Sequence, residues 1–365
     1  MEYSFPKIRL GLCCINMTLK YYQDIFSSRK IILKTLENNG VEAAQQVAKE
    51  NVIDLLKFLF YNKNHGIDVC RITSALVPHA SNPRISKFLS DSEAEKFMSL
   101  EFLRPYLQLV GDLAKLERMR LTFHPGQFVQ IASPNEEVFK NSILELNMHT
   151  LFIEMMDLPL DSVMVVHIGG TYGEKEMTTQ RFKERFSTIE ERIRNRIVLE
   201  NDEKCYDAED VLEICEELNV PIVFDIFHYY CYKRYHADSH QKSIRELLPR
   251  ILATWERRGI RPKFHLSEQE PNLPVGSHSL FVDVIPEELL EIPSVYGIEI
   301  DIMIEAKAKD IAIARLYKNY PQIKPKYRKE LPTQIPKAAI KDLKVKHDPE
   351  VDYLARCHGC HNCPE

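Results

Sequence analysis

Short apolar runs recur along this chain, spaced too far apart to pair as simple hairpins. They span residues 8–13, 68–74, 120–124, 162–170, 196–202, 221–228, 263–267 and 298–306. Most are continuous apolar stretches, such as "RLTFH" and "SVMVVHIGG", rather than strict alternations. That pattern fits parallel strands buried on both faces. Longer segments with helical periodicity lie between them. Residues 40–64 bring Val41, Ala44, Val47, Val52, Leu55, Leu56 and Leu59 near one face. Residues 91–119 read as one helix with Asp91 or Ser92 as N-cap. Residues 135–157 follow Pro134, and their acidic first turn suits the helix dipole. Segments 208–220 and 240–259 obey the same logic, the second ending at Gly259. Eight strand–helix alternations predict an α/β fold, a (β/α)8 TIM barrel.

A length of 365 residues suits one large α/β domain or two ordinary ones. The barrel is expected over residues 1–318. Residues 319–365 are expected to form a basic, Pro/Lys-rich C-terminal extension that tracks phosphates or serves as a solvated linker. From Arg315 to Lys346 there are ten Lys/Arg against two Asp/Glu, although the net charge of the whole chain is −5. No apolar run approaches a membrane span, and "MEYSFPKIRLGLCC" lacks the apolar core of a secretion signal. An intracellular protein of the cytoplasm or nucleus is expected, without a membrane or obligate protein partner, and monomeric. Of nine cysteines, six are scattered and read as reduced thiols. The other three close the chain in "CHGCHNC". Cys357, Cys360 and Cys363, with His358 or His361, are zinc-ligand types, but they lack the usual two separated pairs. The alternative is a thiol-rich tail without metal.

In a barrel of this kind the chemistry sits at the C-terminal strand ends. Those ends carry His124, His167, Glu200 with Asn201 and Asp202, Asp225 with His228, Lys263 with His265, then His278, and Glu305 with Lys307. A lone buried histidine on an apolar strand is usually a satisfied core residue. Burying this many imidazoles and carboxylates together costs several kcal/mol each unless something compensates. Divalent ions are the simplest compensation, and mixed imidazole and carboxylate ligands suit zinc, manganese or iron better than calcium. The number of ligands exceeds the needs of one tetrahedral ion, so two or three are expected. Multinuclear centres of this type recur in phosphoester hydrolysis.

Taken in order, "FHPGQF", "VVHIGGTYGEK", "VLENDE", "FDIFHY", "KFHL", "GSH" and "MIEAKAK" resemble the motifs of the UV-damage endonucleases. The resemblance runs from about Arg9 to about Lys309. It implies a barrel related to endonuclease IV and a manganese-type centre, with Zn2+, Mg2+ or Co2+ as alternatives. It implies damaged double-stranded DNA as the partner, and incision of the phosphodiester immediately 5′ of a photolesion by metal-activated hydroxide attack, leaving a 3′-hydroxyl. The implied lesions are cyclobutane pyrimidine dimers and 6-4 photoproducts, with abasic sites as a further candidate. The matching metal positions are His124, His167, Glu200, Asp225, His228, His265, His278 and Glu305. Glu200, Lys263 and Glu305 take the catalytic roles, and Lys263 matches a lysine that can be carboxylated. Gln127 and Phe128 match the pair that fills the gap left by extruded nucleotides. Asn16 matches a lesion-pocket position. Tyr172 and Lys175 are expected to reach the DNA backbone, and Asp202 to orient ligands. Leu12 and Ala75 depart from the family's usual Tyr and His, with His79 near but out of register. Two rivals use parts of this pattern. A sugar isomerase or epimerase places Glu, Asp and His on a divalent ion in the same barrel, and a non-catalytic damage-binding protein would bind the same DNA.

Overall fold

The computed structural model describes residues 7–326 and 328–343. Eight parallel strands close into one barrel in sequence order: β1 (Ile8–Cys13), β2 (Val69–Ile72), β3 (Arg120–Phe123), β4 (Met164–His167), β5 (Ile197–Glu200), β6 (Ile222–Asp225), β7 (Lys263–Leu266) and β8 (Ile300–Ile304). Each expected apolar run supplies one strand. β1 pairs with β8 from Ile8↔Ile300 to Leu12↔Ile304 and so completes the ring.

Alternation along each strand sorts the side chains. Leu10, Leu12, Leu121, Phe123, Met164, Val166, Leu199, Phe224 and Phe264 join the large core shared with the surrounding helices. The intervening residues form a separate, layered interior. A middle layer is apolar: Val165, Val198 and Val223 cluster with Trp255, and Val69 with Cys13 and Met303. Gly11 belongs to this layer, because a Cβ there would lie 2.9 Å from Met303 Cε. A charged floor lies below it. Asp301 is fully buried and meets Arg9 at 2.7 Å, Arg120 at 2.9 Å and Arg261 at 3.0 Å. Burial alone would raise the Asp301 pKa, but the three guanidiniums hold its carboxyl well below the usual range. Above the apolar layer stand the polar strand ends of the candidate site.

The helices show where local signals outrank periodicity. Helix Leu33–Asn64 has non-helical Gly40 at φ 71°, and the strongly periodic segment starts there. The single helix expected over 91–119 is two helices, Asp91–Met98 and Arg104–Leu116. Leu100 turns left-handed at φ 58°, and Pro105, which has no N–H to donate, starts the second helix. The N-cap is Ser90, in a capping box with Glu93, and neither Asp91 nor Ser92. Asn135, Asp207 and Ser243 cap three of the other crossover helices. The run expected as strand over 221–228 ends at Asp225. Asp225 caps helix Ile226–Tyr235, so His228 stands on a helical first turn.

The last crossover helix, Asp310–Asn319, is followed by chain that packs on the barrel. Ile323, Leu331 and Ala339 are buried, and short helix Lys337–Asp342 meets Tyr21 through Asp342. Cys357, Cys360, His361 and Cys363 lie outside the described residues, as does the end of the basic extension. Among the described residues, Cys13, Cys14, Cys70, Cys205, Cys215 and Cys231 are free thiols, and no helix is long and apolar enough to cross a membrane.

The floor carries a direct expectation. Asp301→Ala leaves Arg9, Arg120 and Arg261 without their shared carboxylate, and unfolding free energy is expected to fall by about 3–5 kcal/mol. Urea denaturation measures this, and a loss below about 1 kcal/mol would contradict the assigned role.

Candidate metal centre

The centre grows out of β5. Glu200 is the last residue of that strand, faces the barrel interior and is 1% exposed. Three imidazoles from three other strands converge on it. His265 Nδ1 lies 2.5 Å from Oε1, while His124 Nε2 and His167 Nε2 lie 2.9 and 3.2 Å from Oε2. Strand register sets this up, with His167 beside Glu200 and Asp225 beside His265. Asn201 fixes the β5–β6 edge through both backbone groups of Asp225, at 2.8 and 2.9 Å. Asp225 Oδ1 accepts the N–H of His228 at 2.8 Å, which aims the other carboxylate oxygen inward.

Metal-type donors group in two sets, His124–Glu200–His265 and Glu200–Asp225–His228, with ligand atoms in each set within 4.8 Å of one another. Glu200 belongs to both. Glu200 Oε2 and Asp225 Oδ2 are buried without a hydrogen bond of proper direction. Orphaned carboxylate oxygens converging with imidazoles in one space are what divalent ions would satisfy, so the residues fit a bound metal.

The electrostatics agree with this. Burial pushes the Glu200 pKa up, but His265, His167 and His124 outweigh it and hold the group ionised, well below the carboxylate range. Burial lowers His167 to about 4 and also lowers His265, so both rings are neutral, as ligands must be. His228 goes the other way. Burial lowers it, but Asp225, Glu203 and Glu200 outweigh burial and raise it to about 10. Glu305 sits 3.4 Å from His265 and 2.5 Å from Arg71, whose guanidinium overcomes burial and depresses the carboxyl. Lys263 is fully buried, with Nζ 3.1 Å from His265 Nε2 and 3.3 Å from Thr122 Oγ1. Burial, then Arg71 and Arg120, push the amine down to about 7. His278 Nδ1 faces Ser267 Oγ at 2.8 Å and the Glu305 carbonyl at 3.1 Å, so it stands at the rim.

Several expected site residues have other tasks. Asn16 is 1% exposed. It caps helix Met17–Gln23 through Leu19 N–H at 2.9 Å and donates to Asn62 at 2.8 Å, so it faces no open surface. Asp202 does not face the ligands, because its carboxylate accepts the N–H groups of Lys204, Cys205 and Tyr206 and shapes that turn. Lys175 is not on the loop. It opens helix Lys175–Thr188 and pairs with Asp210. His79 bonds the Ile31 carbonyl at 2.7 Å. Gln127 and Phe128 are exposed, Phe128 by 62%, with its ring over Gly126. Tyr172 is exposed, and its hydroxyl donates to Gln130 at 2.8 Å.

Three contributors went unread in the sequence: Glu203, Arg71 and Gln130. Glu203 Oε2 lies 3.1 Å from His228 Nδ1, and that contact holds its carboxyl down to about 2. A carboxylate behind an imidazole fixes its tautomer and orientation. Glu203→Gln is therefore expected to weaken ion binding about 10–100-fold. His228 keeps its proton up to about 10, so ion uptake at neutral pH expels it and affinity rises with pH. Titrating Mn2+ calorimetrically into chelator-treated protein checks both statements. Equal affinity in the variant, or no gain with pH, would refute them.

The UV-endonuclease UvdE family model matches residues 8–334. A putative UV-damage endonuclease of Acanthamoeba polyphaga mimivirus is 42% identical over 86% of this chain and 91% of its own length. The UV DNA damage endonuclease of Bacillus pumilus is 33% identical over 78% of this chain and 84% of its own. The UV-damage endonuclease of Schizosaccharomyces pombe is 33% identical over 86% of this chain, which spans 50% of that protein. The crystal structure of SacUVDE superposes with a TM-score of 0.71 at 30% identity, covering 87% of this chain and 99% of that one. With the family model spanning most of the barrel and the ligand-bearing strand ends inside it, the chain belongs to the UV-endonuclease UvdE family.

Proposed function

We propose that this protein is a metal-dependent DNA repair endonuclease that incises the phosphodiester immediately 5′ of UV photolesions and leaves a 3′-hydroxyl. Cyclobutane pyrimidine dimers and 6-4 photoproducts are the primary substrates, and abasic sites a secondary one. The observation that carries this reading is Glu200, one buried carboxylate shared by two sets of metal-type donors. Family membership supplies the substrate class.

His124, His167, Glu200, Asp225, His228, His265 and Glu305 would hold the ions, with His278 at the rim. Manganese is the ion of choice, in two or three copies. Divalent ions there supply Lewis acidity toward a phosphoryl oxygen and lower the pKa of a water. The chain's own residues do the rest. Arg71 fixes Glu305 and adds positive charge beside the phosphate. Asn201 and the capped helix after Asp225 keep the ligands preorganised, so little rearrangement accompanies the reaction. A Lys263 amine pushed down to about 7 has a substantial neutral fraction that can add carbon dioxide and become a carbamate ligand, with release of one proton. Electron density at Nζ in metal-loaded crystals separates that carbamate from a free amine. Phe128 would stack in a gap in the duplex, a reading its exposure beside Gln127 supports.

A duplex with one cyclobutane dimer and Mn2+ tests the reading. A nick directly 5′ of the lesion, extendable by a polymerase, is expected, together with a loss of about a hundred- to a thousandfold in Glu200→Gln, the order lost when one key electrostatic group is removed. A nick elsewhere, cutting that survives chelation, or an active Glu200→Gln would each overturn it.

A further inference from the structure

Gln130 has no place in the ligand set, yet its side chain joins the two loops that carry the exposed residues. On one side, Gln130 Nε2 donates to the Gln127 carbonyl at 2.7 Å. On the other, its Oε1 accepts the Gly170 N–H at 3.2 Å and the Tyr172 hydroxyl at 2.8 Å. The amide faces one way, since a flipped group would set its NH2 against the Gly170 N–H and its oxygen against the Gln127 carbonyl. Two features hold it there. Its backbone N–H donates to Ser142 Oγ at 2.8 Å, on helix Glu136–Met155. Gly169 leaves space for it, because a Cβ on Gly169, already at φ +106°, would overlap Gln130 Oε1.

The two loops follow β3 and β4. One runs from His124 to Phe128 and the other from His167 to Tyr172, and the two imidazoles sit 5.3 Å apart at the loop bases. Their tips present two aromatic rings, Phe128 at 62% and Tyr172 at 44% exposure. Tyr172 sits at φ 51°, a conformation that an ordinary residue adopts only when its surroundings impose it. Its side chain is held at the far end by the hydroxyl bond to Gln130.

We propose that Gln130 is the positioning residue that sets the separation and tilt of Phe128 and Tyr172, so that the two rings together grip the unstacked bases of a distorted duplex. This rests on the DNA reading above. Neither ring gains from stacking if its backbone drifts, because base–aromatic stacking is worth about 1–3 kcal/mol per base only in register. Gln130 thereby favours distorted over intact DNA without touching the reacting phosphate.

The test is steady-state incision of lesion-bearing duplex by the Mn2+-loaded full chain, comparing Gln130→Leu, Tyr172→Phe and the double variant. Gln130→Leu is expected to raise KM about tenfold, to hold kcat within about threefold, and to leave metal content and Tm unchanged. Tyr172→Phe is expected to raise KM less, and the double variant to be no worse than Gln130→Leu alone, since both remove one shared bond. Gln130→Glu keeps the acceptor for Gly170 and Tyr172 and should recover part of the loss. A kcat loss equal to the KM change, multiplicative effects in the double variant, or a wild-type KM in Gln130→Leu would overturn the proposal. If the wild type itself makes no nick, the DNA reading fails instead. A lowered Tm in Gln130→Leu together with lost metal would show a merely structural residue.

Discussion

A carboxylate buried at the centre of three imidazoles constrains everything else at the top of this barrel. Glu200 is ionised because His124, His167 and His265 surround it, and two of the rings it faces are kept neutral by burial. Such a group is stable only where other charges answer it. The ends of β3, β4, β5 and β7 must therefore meet at one level; the β4–β5 pairing sets His167 beside Glu200, and the β6–β7 pairing sets His265 beside Asp225. The apolar layer of Val165, Val198, Val223 and Met303 separates this charge from the opposite one below. At the floor, three guanidiniums close on Asp301 and the balance is met by protein alone. At the top, Glu200 and Asp225 are met by imidazoles and by no guanidinium, and each keeps a buried oxygen without a well-directed donor, which is what a candidate ion site offers.

Supporting groups behind the ligands share one logic. Glu203 stands behind His228, Arg71 behind Glu305, and Asn201 behind Asp225. Each restrains a ligand from outside the ligand set and lets the strand ends keep one geometry. The exposed aromatic residues proposed to meet DNA are built differently. Phe128 and Tyr172 ride on loops, and their placement depends on a few directed bonds, above all those of Gln130.

The strands and the polar residues at their ends were readable because both follow short-range rules. Two-residue alternation puts Arg120, Thr122 and His124 on one side of β3, and an apolar run ending in histidine is visible without knowing its neighbours. Reading failed where a residue's role depends on distant chain or on capping chemistry. Lys175 looked like a free loop cation, but its partner Asp210 lies on another helix. Glu203 gave no sign of its task, because only the turn made by Asp202 carries it back to His228. Asn16 did carry a usable signal: an Asn directly before "MTLKYYQ" is an N-cap, and capping already satisfies its side chain. Pro105 likewise marked the break in the 91–119 segment.

Glu200 is proposed to join two metal positions. Anomalous diffraction at the manganese edge, from crystals grown with Mn2+, tests that most directly. At least two peaks, each within coordinating distance of a Glu200 oxygen, are predicted. A single peak, or peaks that leave Glu200 without a metal contact, would contradict it.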